Sequence, residues 1–241
     1  MGKIYITINQ LIISIVLFGG NTFLLFFYYL PELFSNFDLL NYLTDLSYYA
    51  NSIYLLLCLV CDIFLYLDNK DENEMSYRLM EEEEDNNSSK DNNIKWFEQL
   101  NNWNRNKYGV VCNTFSFFVS ISFWILFLLG ESYIRVSNTF YAMLSTINLH
   151  LIISILIIID ILCSKREHKF SNEYFGIISL IFLIYCAYTG INKYYFNSNT
   201  YAFMNGSFLF LIFYVVISFC ILYVSYLLNV YLINYKIKEV I

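Results

Sequence analysis

The chain has 241 residues, of which 58% are hydrophobic and only 14% charged, more apolar surface than a soluble core of this length can bury. Its formal charge of −6 gathers in one stretch, where Glu81, Glu82, Glu83, Glu84 and Asp85 stand in a row as a solvated run. No basic stripe exists, which argues against nucleic-acid binding, and lipid is left to cover the excess.

Crossing about 30 Å of hydrocarbon at 1.5 Å per residue takes about 20 apolar residues, and six stretches meet that requirement. The first, 5–30, is too long for a cleaved leader and ends at Pro31, the only proline, which cannot continue a helix. The second is 43–67, and it is followed by an acidic, Asn-rich loop over 68–107 that is expected to be disordered in part. The remaining four are 108–130, 140–162, 174–191 and 207–231. Apolar residues recur on all faces of each stretch, and in lipid a helix satisfies its own backbone hydrogen bonds. The expected fold is an all-α integral membrane protein, a single bundle of six transmembrane helices.

Lys and Arg set its orientation. Placing the N-terminus, the 68–107 and 163–173 loops and the C-terminus on one side collects twelve of them against Arg135 and Lys193 on the other. That division puts both termini in the cytosol. The endoplasmic reticulum or the plasma membrane would suit such a protein, and the sequence does not choose between them. Tyrosines paired near the ends of the stretches, such as Tyr48-Tyr49 and Tyr194-Tyr195, fit interfacial aromatic belts. The six cysteines all lie in or beside apolar stretches and form no disulfide framework.

Ionisable groups within a membrane span are expensive and are functional candidates by default. Three stand out: His150, Asp62 and Asp160. His150 lies about ten residues into the fourth stretch, near the bilayer middle, with Thr146 and Ser154 at helical spacing on the same face. In the second stretch Thr44, Ser47, Asn51, Cys58 and Asp62 fall at offsets 0, 3, 7, 14 and 18, the spacing of one helical face. Packing the two polar faces together would satisfy both and open a cleft toward the non-cytosolic side. Asp62 and Asp160 lie near the cytosolic ends of their spans, where snorkelling or capping is the favoured reading and an inner proton or cation site the alternative. No metal site and no cofactor is expected, since His168 is the only other histidine and no nucleotide-binding or nucleophile-elbow motif occurs.

The same residues carry a resemblance. Asn41-Tyr42-Leu43-Thr44 followed eighteen residues on by Asp62, Phe123-Trp124, Asn148-Leu149-His150 followed ten residues on by Asp160, and Thr200-Tyr201-Ala202-Phe203-Met204 together make the chain similar to the androgen-induced membrane protein family. The resemblance covers roughly residues 37–230. Asp45 after Thr44, and Ala202 in place of a proline, depart from the family pattern. The family hydrolyses fatty acid esters of hydroxy fatty acids with a threonine nucleophile, so the resemblance implies Thr44 as nucleophile and His150 as its histidine. A hydroxyl is a weak nucleophile unless a neighbouring base takes its proton, and an imidazole supplies that base. Asn51 or Tyr48 is the guess for an oxyanion donor, with Ser154 supporting. A membrane lipid is the expected substrate and partner. The other classes open to this sequence are a transporter or channel using the same polar faces, and a lipid-binding or structural membrane protein without catalysis.

Overall fold

The computed structural model describes residues 8–24, 43–78, 88–129, 140–163, 168–196 and 208–239. Among them are α-helices and no strand: α1 (Ile8–Leu24), α2 (Leu43–Arg78), α3 (Ser88–Trp103), α4 (Gly109–Leu129), α5 (Phe140–Cys163), α6 (Asn172–Phe196) and α7 (Phe208–Glu239). A π-helical turn over Asn104–Tyr108 joins α3 to α4. Four stretches, Leu43–Asp68, Lys95–Leu129, Asn172–Tyr195 and Ile212–Tyr235, are long and apolar enough to cross a membrane, and Ile8–Phe23 and His150–Cys163 form shorter apolar helices. The chain is therefore an all-α, multi-pass membrane protein.

The 68–107 loop differs from expectation, because α2 continues to Arg78 and α3 begins at Ser88. The reason is an aromatic stripe hidden among the polar residues of α3. Phe97 stacks on Phe64 of α2 with ring centroids 4.3 Å apart, and Trp103 stacks on Tyr108 at 5.9 Å, so the segment folds back along α2. The third span accordingly starts before residue 108. Pro31, the acidic run at 81–85, Asn41-Tyr42 and the stretch 200–204 lie outside the described residues.

Helices α1, α2, α4 and α5 form a ring, each antiparallel to the next. On the α1–α2 side, Asn21 Nδ2 donates to Ser52 Oγ at 2.7 Å and Tyr48 donates to the Asn21 carbonyl at 2.5 Å. Between α2 and α4, Ser47 and Ser116 share a hydrogen bond of 3.0 Å, and one turn further Tyr108 donates to the Ala50 carbonyl at 3.1 Å. Ser120 of α4 donates to the His150 carbonyl of α5 at 2.7 Å. Leu156 of α5 closes the ring on α1, packing with Leu17 and coming within 3.9 Å of a β-carbon placed on Gly20.

Outside the ring, Asn229 of α7 donates to the Val110 carbonyl at 3.0 Å and to Thr114 Oγ1 at 3.1 Å. Phe182 of α6 meets Phe118 of α4 and Phe219 of α7 edge-on. Helix α6 otherwise presents Ile177, Leu180, Leu183, Ile184 and Ile191 outward, the apolar exposure a lipid-facing helix requires. Tyr226 near the end of α7 exchanges hydrogen bonds of 3.1 Å with Ser171 before α6. The start of α1, the later parts of α2 and α5, the starts of α4 and α6 and the later part of α7 therefore share one end of the bundle.

Candidate functional site in the four-helix ring

The polar faces of α2 and α5 both meet α4, which contributes a polar face of its own. Asn113, Ser116 and Ser120 lie at offsets 0, 3 and 7 and so on one side of that helix. Ser116 is hydrogen-bonded to Ser47 at 3.0 Å and also to the Asn51 amide. Ser120 binds Ser154 Oγ at 2.6 Å as well as the His150 carbonyl. The two faces proposed to pack directly on one another are thus joined through a third, one turn apart along α4. The signal was present in the sequence of the third span, where the same offset arithmetic applied to α2 picks out Asn113, Ser116 and Ser120.

His150 is buried, and its imidazole lies flat on Phe123 with ring centroids 3.9 Å apart and planes at 9°. Its Nδ1 is buried and has no hydrogen-bond partner among the described residues. Thr44 is half-buried in the first turn of α2. Eighteen residues separate it from Asp62, five whole turns at 3.6 residues per turn, so the two share one angular position, and Asp62 points into the ring. Depth follows from register. Ser116 lies level with Ser47 and Asn51, so the Ser120–Phe123 turn, four to seven residues up α4, lies level with the first residues of antiparallel α2. Thr44 and His150 therefore stand at the same depth, and since Thr44 is the second residue of the Leu43–Asp68 stretch, His150 lies near one end of the spans and not at the bilayer middle.

The suggested supporting residues are already engaged. Tyr48 is fully buried against α1 with its hydroxyl hydrogen donated to the Asn21 carbonyl, which leaves it no donor for an oxyanion. Both hydrogens of the Asn51 amide are used, one on the Ser47 carbonyl at 2.7 Å and one on Ser116, which leaves Asn51 no donor for an oxyanion. Ser154 bonds to Ser120 and to the His150 carbonyl, fixing the helix pair and not the imidazole. The side chain of Thr146 lies outside the described residues.

At the other end of the ring Asp62 and Asp160 are buried, at 0% and 3% exposure, which rules out snorkelling. Arg105 stands between them, its Nη2 2.6 Å from Asp62 Oδ2 and its Nη1 3.5 Å from Asp160 Oδ1. Ser14 donates to Asp62 Oδ2 at 2.5 Å and Asn101 to Asp62 Oδ1 at 3.3 Å. Tyr54 donates to Asp160 Oδ2 at 2.7 Å, and Arg105 Nε donates to Asn101 Oδ1 at 2.9 Å. Three helices of the ring, α3 and the π turn thus converge on one ionic knot, the arrangement that lets charges stay buried. Sequence reasoning missed Arg105 because it counted the residue as a loop charge; the π turn that aims it inward has no sequence signature of its own.

Among the described residues no three His, Cys, Asp or Glu side chains are grouped to hold a metal ion. None of the six cysteines is in a disulfide, and Cys58 accepts from Asn104 Nδ2 at 3.2 Å. The 58–61 pair is two separate buried thiols. Comparison with protein-family models, with curated proteins and with solved structures finds no match.

Proposed function

We propose that the protein is a six-span lipid esterase with both termini in the cytosol, working inside the bilayer on fatty acid esters of hydroxy fatty acids. Thr44 attacks the ester carbonyl while His150 takes its proton and passes it to the leaving alcohol. Water then releases the acid. The observation that carries this reading is the partnerless Nδ1 of the buried His150, held in the ring interior at the depth of Thr44. The resemblance to the androgen-induced family, whose threonine and histidine fall on these two positions, points the same way.

The substrate class follows from the resemblance, and the Thr44–His150 level lies near the non-cytosolic end of the spans, since Thr44 is the second residue of the Leu43–Asp68 stretch. The six spans are the four long helices together with α1 and α5, the shorter apolar helices that complete the ring. The shared end of the bundle carries Lys95, Lys107 and Lys169 and is the cytosolic end by the positive-inside rule.

The test is hydrolysis of a branched fatty acid ester by purified protein in liposomes. Thr44→Ala and His150→Ala each reduce kcat by about 10³-fold or more, and the double variant loses little beyond either single one, since the two act as a unit. Full activity in either single variant refutes the pairing.

A proton or ion transporter is the second reading, favoured by the two carboxylates buried beside Arg105. It predicts flux across liposomes that Asp62→Asn abolishes. The tight Arg105 clamp, using both carboxylates at once, speaks for a structural knot there instead.

A further inference from the structure

Between His150 and the ionic knot, about ten residues or roughly 15 Å along α5, the ring interior holds a line of polar atoms without partners. His150 Nδ1 comes first, then Asn51 Oδ1, then both side-chain atoms of Asn113, then Asn104 Oδ1, and all are buried with no hydrogen-bond partner among the described residues. Asn51, Asn104 and Asn113 are at most 1% exposed. Their positions are fixed independently: Asn51 by its bonds to Ser116 and Ser47, Asn104 by its bonds to Cys58 and the Tyr54 carbonyl, and Asn113 by lying one turn from Ser116 on the same side of α4. Buried polar atoms in proteins are paired with protein or with ordered water. Three such amides and an imidazole, one after another along one axis and ending at Tyr54 and Asp160, form a path.

We propose that Asn51, Asn113, Ser116 and Asn104 hold a file of water molecules that joins His150 to the Tyr54–Asp160 pair. The inference rests on the esterase reading for its use, and the file itself stands on the geometry. Hydrolysis at a site enclosed by membrane helices needs a supply of water. In deacylation the water oxygen bonds to the acyl carbon, the bond from that carbon to the Thr44 oxygen breaks, and the water's proton passes through His150 to Thr44. The free acid carries its proton away as it departs from the Thr44 end of the ring, and the next water of the file moves up in place of the one consumed. Mass and charge balance with the ester and one water as the only reactants. Arg105 holds Asp160 at the far end, so the path ends on a charged group and does not run open through the membrane.

The experiment is water-edited solid-state NMR on the full-length protein in liposomes with ¹⁵N-labelled asparagine, the Asn113 signal being assigned by its loss in Asn113→Leu. The Asn113 side-chain amide receives magnetisation from water as quickly as that of exposed Asn102. If it stays dark at mixing times where Asn102 has reached its plateau, the file is refuted. In parallel, Asn113→Leu lowers ester turnover at least tenfold while the melting temperature holds or rises, since an apolar group replaces an amide that no protein group satisfies, and Asn113→Gln restores part of the turnover. A Leu variant with unchanged turnover, or with lowered stability, overturns the proposal. If the wild-type protein hydrolyses no such ester, the esterase reading fails and the NMR result still decides whether the water is there.

Discussion

The imidazole of His150 stacks face to face on the ring of Phe123, with centroids 3.9 Å apart and planes at 9°. The stack is the one contact among the described residues that fixes the plane of the imidazole, since Ser120 and Ser154 both bond to the backbone carbonyl. Phe123→Leu keeps an apolar side chain but frees the ring to rotate. Misplacing a catalytic group by about 1 Å costs on the order of 10²-fold in rate. The expected outcome is a kcat reduced by about 10–10²-fold with KM nearly unchanged, read from steady-state ester hydrolysis; an unchanged kcat removes Phe123 from the positioning of His150.

Arg105 binds both Asp62 and Asp160. Removing one partner of a buried ion pair costs about 3–5 kcal/mol, because the charges left behind are uncompensated. Arg105→Met is therefore expected to lower the melting temperature in detergent by roughly 6–20 °C. Adding Asp62→Asn and Asp160→Asn to it recovers most of that loss, and scanning calorimetry on the wild type, Arg105→Met, the two-Asn variant and the triple variant measures the coupling. No recovery in the triple variant contradicts the ionic knot.

Gly109, the first residue of α4, lies against the ring of Tyr54 on α2. A β-carbon there would stand 2.7 Å from Cε2 and 3.0 Å from Cζ of Tyr54, and 3.2 Å from the Asn104 carbonyl oxygen. Tyr54 is fully buried and has no room to retreat. Alanine gains up to about 1 kcal/mol in helix propensity, but overpacking costs about 1–3 kcal/mol, so Gly109→Ala is destabilising on balance. Thermal denaturation reads the sign directly, and displacement of the Tyr54 hydroxyl from Asp160 loosens the knot as well.

Much of this arrangement is visible in the sequence, and the missing parts have physical reasons. The face running through Thr44, Ser47, Asn51, Cys58 and Asp62 is legible because a membrane helix has few polar residues and their spacing stands out. Its partner was misassigned because offsets identify a face and not what it meets: α4 intervenes between α2 and α5. The burial of Asp62 and Asp160 was read as surface placement because their counter-ion, Arg105, sits in a polar segment that resembles a loop. Only the aromatic packing of Phe97 on Phe64 reveals that segment as helix, and such a contact links residues 33 apart.

His168, in the connection between α5 and α6, is buried against Tyr174 and Tyr226. Burial lowers its pKa below the usual 6.5, and a hydrogen bond to the Asn106 backbone opposes the shift in part. The unfolded chain thus binds more protons than the folded one at pH values just below 6.5, and stability rises with pH in that window. The contribution is fully present above pH 6.5 and is lost as pH falls through the folded value. The melting temperature is expected to drop between pH 7.5 and 5.5, and His168→Phe flattens that slope; an equal slope in the variant assigns the pH dependence elsewhere.

The central claim is that Thr44 becomes acylated during turnover. Protein in liposomes is mixed with a branched fatty acid ester, quenched in acid within one turnover and digested, and the peptide containing Thr44 is weighed by mass spectrometry. The account predicts that this peptide carries the acyl group of the substrate as an ester on Thr44, that the adduct decays with the rate of product release, and that His150→Ala does not form it. Turnover at full rate with the Thr44 peptide unmodified, and undiminished in Thr44→Ala, contradicts it.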